Sequence, residues 1–223
     1  MEESIFQSSF TNQIRKVKDV LNENPSLTKN VDDSKRSVLH WACSGGHYEL
    51  SQYLLDRGCE VDAADDMGWT PLMIASSAGH VDLVRLLLGC GANVSHRNIN
   101  LQTPLHYAAS KDHAEIVALL LANDAEVNAR DKYGSTPVHR AASKGNGKSL
   151  RLLLNRQGVD INIGDSEGNT PLHLACEEQR FDEALLLARK GAYLDKLNKE
   201  GRTALDYVPH GQRLSLIRAG ETG

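Results

Sequence analysis

Apolar residues fall in short helical patches along the chain, never in long runs. In segments such as 81–88 (VDLVRLLL) and 115–121 (EIVALLL), apolar side chains recur three and four positions apart. That spacing lines one face of a helix. Each amphipathic patch follows a shorter one that opens with Thr-Pro or a close variant and is rich in small residues, such as Ala108-Ala109. Gly46, Gly79 and Gly91 punctuate the patches, and segments such as 127–131 (VNARD) read as projecting turns. The pattern predicts helix pairs: a short first helix with a small-residue face, then an amphipathic second helix, then a turn.

The pairs are periodic. Thr70-Pro71-Leu72-Met73, Thr103-Pro104-Leu105-His106, Thr136-Pro137-Val138-His139 and Thr170-Pro171-Leu172-His173 share one tetrapeptide, with degenerate copies at Ser37-Val38-Leu39-His40 and Thr203-Ala204-Leu205-Asp206. Their first residues step by 33, 33, 33, 34 and 33. Thr is a good N-cap, and Pro suits the first helical position because its missing donor would be orphaned there. A 33-residue helix-pair period is that of ankyrin repeats. A lone pair cannot bury its apolar face, so neighbours must stack. The expected fold is therefore an all-α ankyrin-repeat solenoid of about seven stacked helix-turn-helix repeats with projecting β-turn tips. It would form a single domain over 1–223: an N-terminal cap at 1–35, repeats at 36–68, 69–101, 102–134, 135–168 and 169–201, and a C-terminal cap at 202–223. Residues 154–158 (LNRQG) place the one extra residue in the loop after a second helix, where insertions cost little.

Composition removes several function classes. Net charge is −4, with 9 basic and 13 acidic residues up to Leu101 and 16 of each after it, so no basic surface points to nucleic acid. No apolar run approaches the ~20 residues that cross a bilayer, and the acidic start at Glu2-Glu3 leads into no signal-like segment. The four cysteines form no C-x-x-C pair. Reduced thiols and a cytoplasmic and nuclear location are expected, with Cys43 and Cys176 packed inside and Cys59 and Cys90 exposed in loops. Of nine histidines, His40, His106, His139 and His173 share one periodic slot and His47, His80 and His113 another. Recurrence at the repeat period makes them architecture, with the imidazole bridging adjacent turns. No zinc-protease, phosphate-loop or nucleophile-elbow motif is present. Neither catalysis nor a cofactor or metal is expected. Leu174-Ala175-Cys176-Glu177-Glu178 matches L-x-C-x-E, a motif that docks in extended form, but here it falls inside a predicted helix.

Departures from the repeat mark the candidate binding surface. Just before the tetrapeptides stand Arg36 and Trp69, at the solvent-facing turn tips. Just after them stand Trp41, Tyr107 and Arg140, and four residues further on Lys111, Lys144 and Glu178, on the same helix side. Trp and Arg are enriched among interface hot spots. The tips add Asp32-Asp33, Asp65-Asp66, Asp131 and Asp165. A partner would present acidic groups to Arg36, Lys111, Arg140 and Lys144, and basic groups to tip aspartates such as Asp33 and Asp66, although aspartates in tight turns also stand there for purely local reasons. A groove along the repeats suits a folded domain better than a metabolite.

Residues 39–44 (LHWACS), 103–111 (TPLHYAASK), 139–142 (HRAA) and 167–176 (EGNTPLHLAC), with Asn198-Lys199-Glu200, resemble the gankyrin family along the chain. These are seven-ankyrin-repeat, non-ATPase subunits of the proteasome regulatory particle. The resemblance implies an assembly chaperone of the proteasome base. Such a protein would hold the helical C-terminal domain of a proteasomal AAA ATPase subunit in its concave groove and leave before the particle matures. It would be monomeric when free, and Arg36, Trp41, Trp69, Tyr107 and Lys111 would contribute to the groove. The family is also linked to cell-cycle regulators, namely retinoblastoma protein and a cyclin-dependent kinase, and an adaptor of that kind is the alternative. Gln102, Ser135 and the Ser-led start at Ser37 depart from the family pattern, and the N-terminal 35 residues match least.

Overall fold

A computed structural model describes residues 4–221. The chain divides into two compact units, Met1–Ile99 and Asn100–Gly223. The first holds α1 (Ile5–Phe10), α2 (Ile14–Glu23), a 3₁₀ turn (Pro25–Lys29), α3 (Val38–Ser44), α4 (Tyr48–Asp56), α5 (Pro71–Ala78) and α6 (Val81–Gly89). The second holds α7 (Pro104–Ser110), α8 (Ala114–Ala122), α9 (Pro137–Lys144), α10 (Gly147–Leu154), α11 (Pro171–Glu177) and α12 (Phe181–Arg189), then a 3₁₀ turn (Ala204–Tyr207) and α13 (His210–Glu221). Among the described residues there is no β-strand beyond the isolated bridge Val31–Ser37. None of these helices is long and apolar enough to cross a membrane.

Within each unit, first helices pack on first helices and second on second. α1 packs on α3 and α3 on α5, while α4 packs on α6. In the second unit α7, α9 and α11 follow one another, and α10 lies against α8 and α12. The close approach of first helices depends on the small-residue face: Ala42, Cys43, Ala75, Ser76, Ala108, Ala109, Ala141, Ala142 and Ala175 are all buried. The largest enclosed side chains are mostly leucines, including Leu39, Leu50, Leu54, Leu72 and Leu83 in the first unit and Leu105, Leu120 and Leu150 in the second. No residue of either layer need be large, because burial is shared between neighbouring repeats.

The tetrapeptide works as a two-sided cap. The backbone N–H of the leading Ser or Thr donates to Nδ1 of the histidine three residues on, at 3.1, 3.1, 3.1 and 3.2 Å for His40, His106, His139 and His173. With Nδ1 accepting, the proton sits on Nε2. Nε2–H then donates to a carbonyl of the next turn: Trp69, Ser135, Asn169 and Arg202 at 2.9, 3.1, 3.0 and 3.2 Å. The imidazoles therefore bridge adjacent turns, as their period suggests. In the last copy Asp206 replaces the imidazole and accepts from the Thr203 N–H and hydroxyl at 2.8 and 2.9 Å. These bonds hold its carboxyl below the ordinary range.

Helix ends need a left-handed residue. Gly79 and Gly145 supply it after α5 and α9, whereas Asp112 and Gln179 take the same conformation after α7 and α11. Asp112 is used twice, because its carboxylate accepts from the N–H and hydroxyl of Ser149 in α10 at 2.9 and 2.8 Å. Asp124 takes the corresponding place after α8. The extra residue falls after α10, where Arg156 N–H bonds back to Leu153 and Val159 N–H to Arg156. The N-terminal 35 residues supply a full helix pair. In the last repeat the first helix shrinks to the four-residue 3₁₀ turn. Cys176, Phe181, Ala184, Val208 and Pro209 line a cavity of about 200 Å³.

Candidate surface on the first-helix side

The turn tips are built by acidic side chains facing inward. Asp32, Asp65, Asp131 and Asp165 each accept two backbone N–H groups, two and four residues ahead, at 2.8–3.0 Å. Asn198 does the same in the last tip. The side chains of Asp65 and Asp131 are 0% and 1% exposed. Of the two roles open to a tip aspartate, these four serve their own turn. A tight turn has amides to satisfy, and an aspartate satisfies them locally. Asp33 and Asp66 are exposed and remain available.

The residue after each tetrapeptide braces the helix against its own tip. Trp41 Nε1–H donates to Asp32 at 2.9 Å, and Arg140 pairs with Asp131. Tyr207 OH accepts from Asn198 Nδ2 at 3.0 Å. Tyr107 instead donates its hydroxyl to Gln102 at 2.6 Å. In the first unit the brace becomes an aromatic cluster. The Arg36 guanidinium lies 5.4 Å from the Trp41 ring centre and 3.4 Å from the Asp65 carboxylate, which joins neighbouring turns. The Phe10 ring meets Trp41 edge-on at 5.8 Å. Phe10, from the part of the chain with the weakest resemblance, is 41% exposed and was not among the expected site residues.

The cations expected to meet an acidic partner thus divide into two kinds. Arg36 and Arg140 are already answered by Asp65 and Asp131. Lys111 and Lys144 stand exposed at the ends of α7 and α9, and among the described residues neither has an ion-pair partner. Glu178 is exposed at the end of α11. Trp69 is half-buried, not fully solvent-facing: its N–H bonds to Asp65 and its carbonyl receives His40. In the first unit Arg36 and the backbone N–H of Trp69 meet at Asp65, and the Trp41 ring joins them through the Arg36 guanidinium. In the second, Tyr107, Lys111, Arg140 and Lys144 lie on the neighbouring helices α7 and α9.

The buried imidazoles and most of the thiols are held in their uncharged forms. Burial lowers the pKa of His40 and His173 and brings His139 down to about 4, which favours the neutral form of these three imidazoles. Burial pushes the thiols of Cys43, Cys59 and Cys176 up to about 12. Cys59 is not the exposed loop thiol expected from its neighbour Gly58: it is 6% exposed, with Sγ 3.5 Å from the Thr28 carbonyl. Cys90 is exposed, as expected. The L-x-C-x-E stretch runs along α11, with Cys176 4% exposed, so the extended docking form is not presented. Among the described residues no three His, Cys, Asp or Glu side chains could hold a metal ion together.

Repeated capped helix pairs, buried small-residue faces and bridging histidines define an ankyrin-repeat protein. Patterns described as ankyrin repeats match residues 6–98, 94–165 and 152–208, and the chain belongs to that family. Within the family it is similar to the human 26S proteasome non-ATPase regulatory subunit 10, 46% identical over 63 residues, or 28% of each chain. The Dictyostelium discoideum protein of the same name is 38% identical over 72 residues, 32% of this chain and 31% of that one. The Saccharomyces cerevisiae probable 26S proteasome regulatory subunit p28 is 36% identical over 73 residues, 31% of this chain and 32% of that one. The aligned stretches span only about a third, or less, of these relatives' length. The crystal structure of the human ASB11 ankyrin repeat domain superposes with a TM-score of 0.86 at 26% identity, covering 98% of each chain.

Proposed function

We propose that this chain is a non-enzymatic assembly chaperone of the proteasome regulatory particle, working in the cytoplasm and nucleus. It receives the C-terminal domain of one proteasomal AAA ATPase subunit on the first-helix sides and turn tips of its two units. The observation that carries this reading is the large side chain braced to its own tip at post-tetrapeptide slots in each of the two units, taken separately. Trp41, Tyr107 and Arg140 are held by Asp32, Gln102 and Asp131, so little side-chain freedom remains to be lost on binding. Lys111 and Lys144 add uncommitted positive charge in the second unit, which favours an acidic counter-surface. Similarity to proteasome regulatory subunits supports the choice of partner. Steric masking is the proposed mechanism: the bound chain covers surface that the ATPase needs for docking on the proteolytic ring, and delays that step.

The deciding experiment titrates the purified chain with the purified C-terminal domain of each proteasomal ATPase, by calorimetry at moderate salt. Saturable one-to-one binding to one of them is expected. If none binds, the proposal is wrong.

A further inference from the structure

Six turn tips end in a left-handed residue: Lys35, Gly68, Leu101, Gly134, Gly168 and Gly201, with φ of 60, 73, 58, 75, 78 and 72°. Four are glycine, which adopts this conformation at no steric cost. Leu101 is the one bulky apolar residue among them, and a leucine there is strained. Burial within the chain does not offset the strain, because Leu101 is 44% exposed. Strain held in a residue that faces water points to a use outside the fold. The neighbouring tip supplies a second apolar group. Lys132 N–H donates to the Asn100 carbonyl at 3.0 Å, joining the two tips, and Tyr133 is 58% exposed. The Lys132 ammonium lies 5.1 Å from the Tyr133 ring centre, and Lys132 and Arg130 are both exposed. The carboxylate of that turn, Asp131, is buried against Arg140.

We propose that Leu101, flanked by Tyr133, is a binding anchor. It inserts into an apolar pocket bordered by carboxylates on the ATPase C-terminal domain, and so rests on the function proposed above. A backbone that would be more stable with glycine is kept strained so that a leucine can be offered to the partner. The inference is specific in sign: stability and affinity respond in opposite directions to one substitution.

The test compares wild type with Leu101→Gly and Leu101→Asn, both residues that accept a left-handed backbone. Leu101→Gly is expected to raise the thermal midpoint by about 2–4 °C as strain is released. The same variant should bind the ATPase C-terminal domain about ten-fold more weakly or worse, the loss expected for one buried leucine. Leu101→Asn should weaken binding similarly without lowering the midpoint. An unchanged or lower midpoint for Leu101→Gly overturns the strain argument and the anchor with it. A higher midpoint with unchanged affinity overturns the anchor alone and leaves the proposed function standing. If no ATPase domain binds the wild-type chain, the proposed function and the anchor both fall.

Discussion

The bridging histidines make the stability of this protein depend on pH in a direction that follows from their tautomer. His139 accepts the Thr136 N–H at Nδ1 and donates from Nε2 to Asn169, so a second proton has no place to go without breaking the cap. Burial is the main reason that its pKa falls from 6.5 to about 4; the Asn169 bond and the nearby Asp165 and Asp131 oppose the shift, and Arg130 adds to it. The unfolded chain therefore binds a proton between these two values that the folded chain refuses. The contribution of His139 is fully present above pH 6.5, falls as the pH drops through that window and levels off below pH 4. From those two values the loss at pH 5 relative to neutral pH is about 2 kcal/mol for this residue alone. His40 and His173, also lowered by burial, act in the same direction. Urea unfolding at intervals from pH 7.5 to 5 gives the slope, and nuclear magnetic resonance of the imidazole gives the tautomer. A flat stability over that range, an imidazole that titrates near 6.5 in the folded protein, or a proton on Nδ1 would refute the reasoning.

Three further outcomes are expected. Asp131→Ala leaves two tip amides, one of them buried, and the Arg140 guanidinium unsatisfied and should cost about 3 kcal/mol in urea unfolding; Asp131→Asn keeps the amide acceptor, as Asn198 does in its own tip, and should cost about 1 kcal/mol. Equal losses for the two variants would contradict the inward role assigned to that carboxylate. Native thiol labelling should modify Cys90 alone, with Cys43, Cys59 and Cys176 reacting only on unfolding; rapid reaction of a second thiol would mean that Cys59 or Cys176 is less enclosed than its burial indicates. Lys111→Glu should weaken binding of the ATPase C-terminal domain about ten-fold and flatten its dependence on salt. An affinity unchanged by the reversal would argue against charge matching in the second unit.

The helix pairs and their caps were legible because a 33-residue period repeats the same physical solution, and each copy checks the others. Thr136, Pro137 and His139 each have a local reason to stand where they do, so neighbours in sequence suffice to predict them. The tips are ambiguous in the sequence for the converse reason. An aspartate suits a turn either as a brace for amides or as a charge for a partner, and composition alone does not separate Asp65, turned inward, from Asp66, turned out. Contacts about a repeat apart were equally hidden. Arg36 reaches Asp65 across 29 residues, and Cys59 meets the Thr28 carbonyl across 31, although Gly58 beside it suggests a loop. Leu101 was within reach of the sequence, since aligning the tips on Gly68, Gly134, Gly168 and Gly201 puts a leucine where glycine belongs. Beside the tetrapeptides, at slots such as Trp41 and Tyr107, it is an unusual side chain that extends the repeat. A missing glycine is a different kind of departure, one of backbone conformation, and it becomes informative only when the φ of the residue and its exposure are known together.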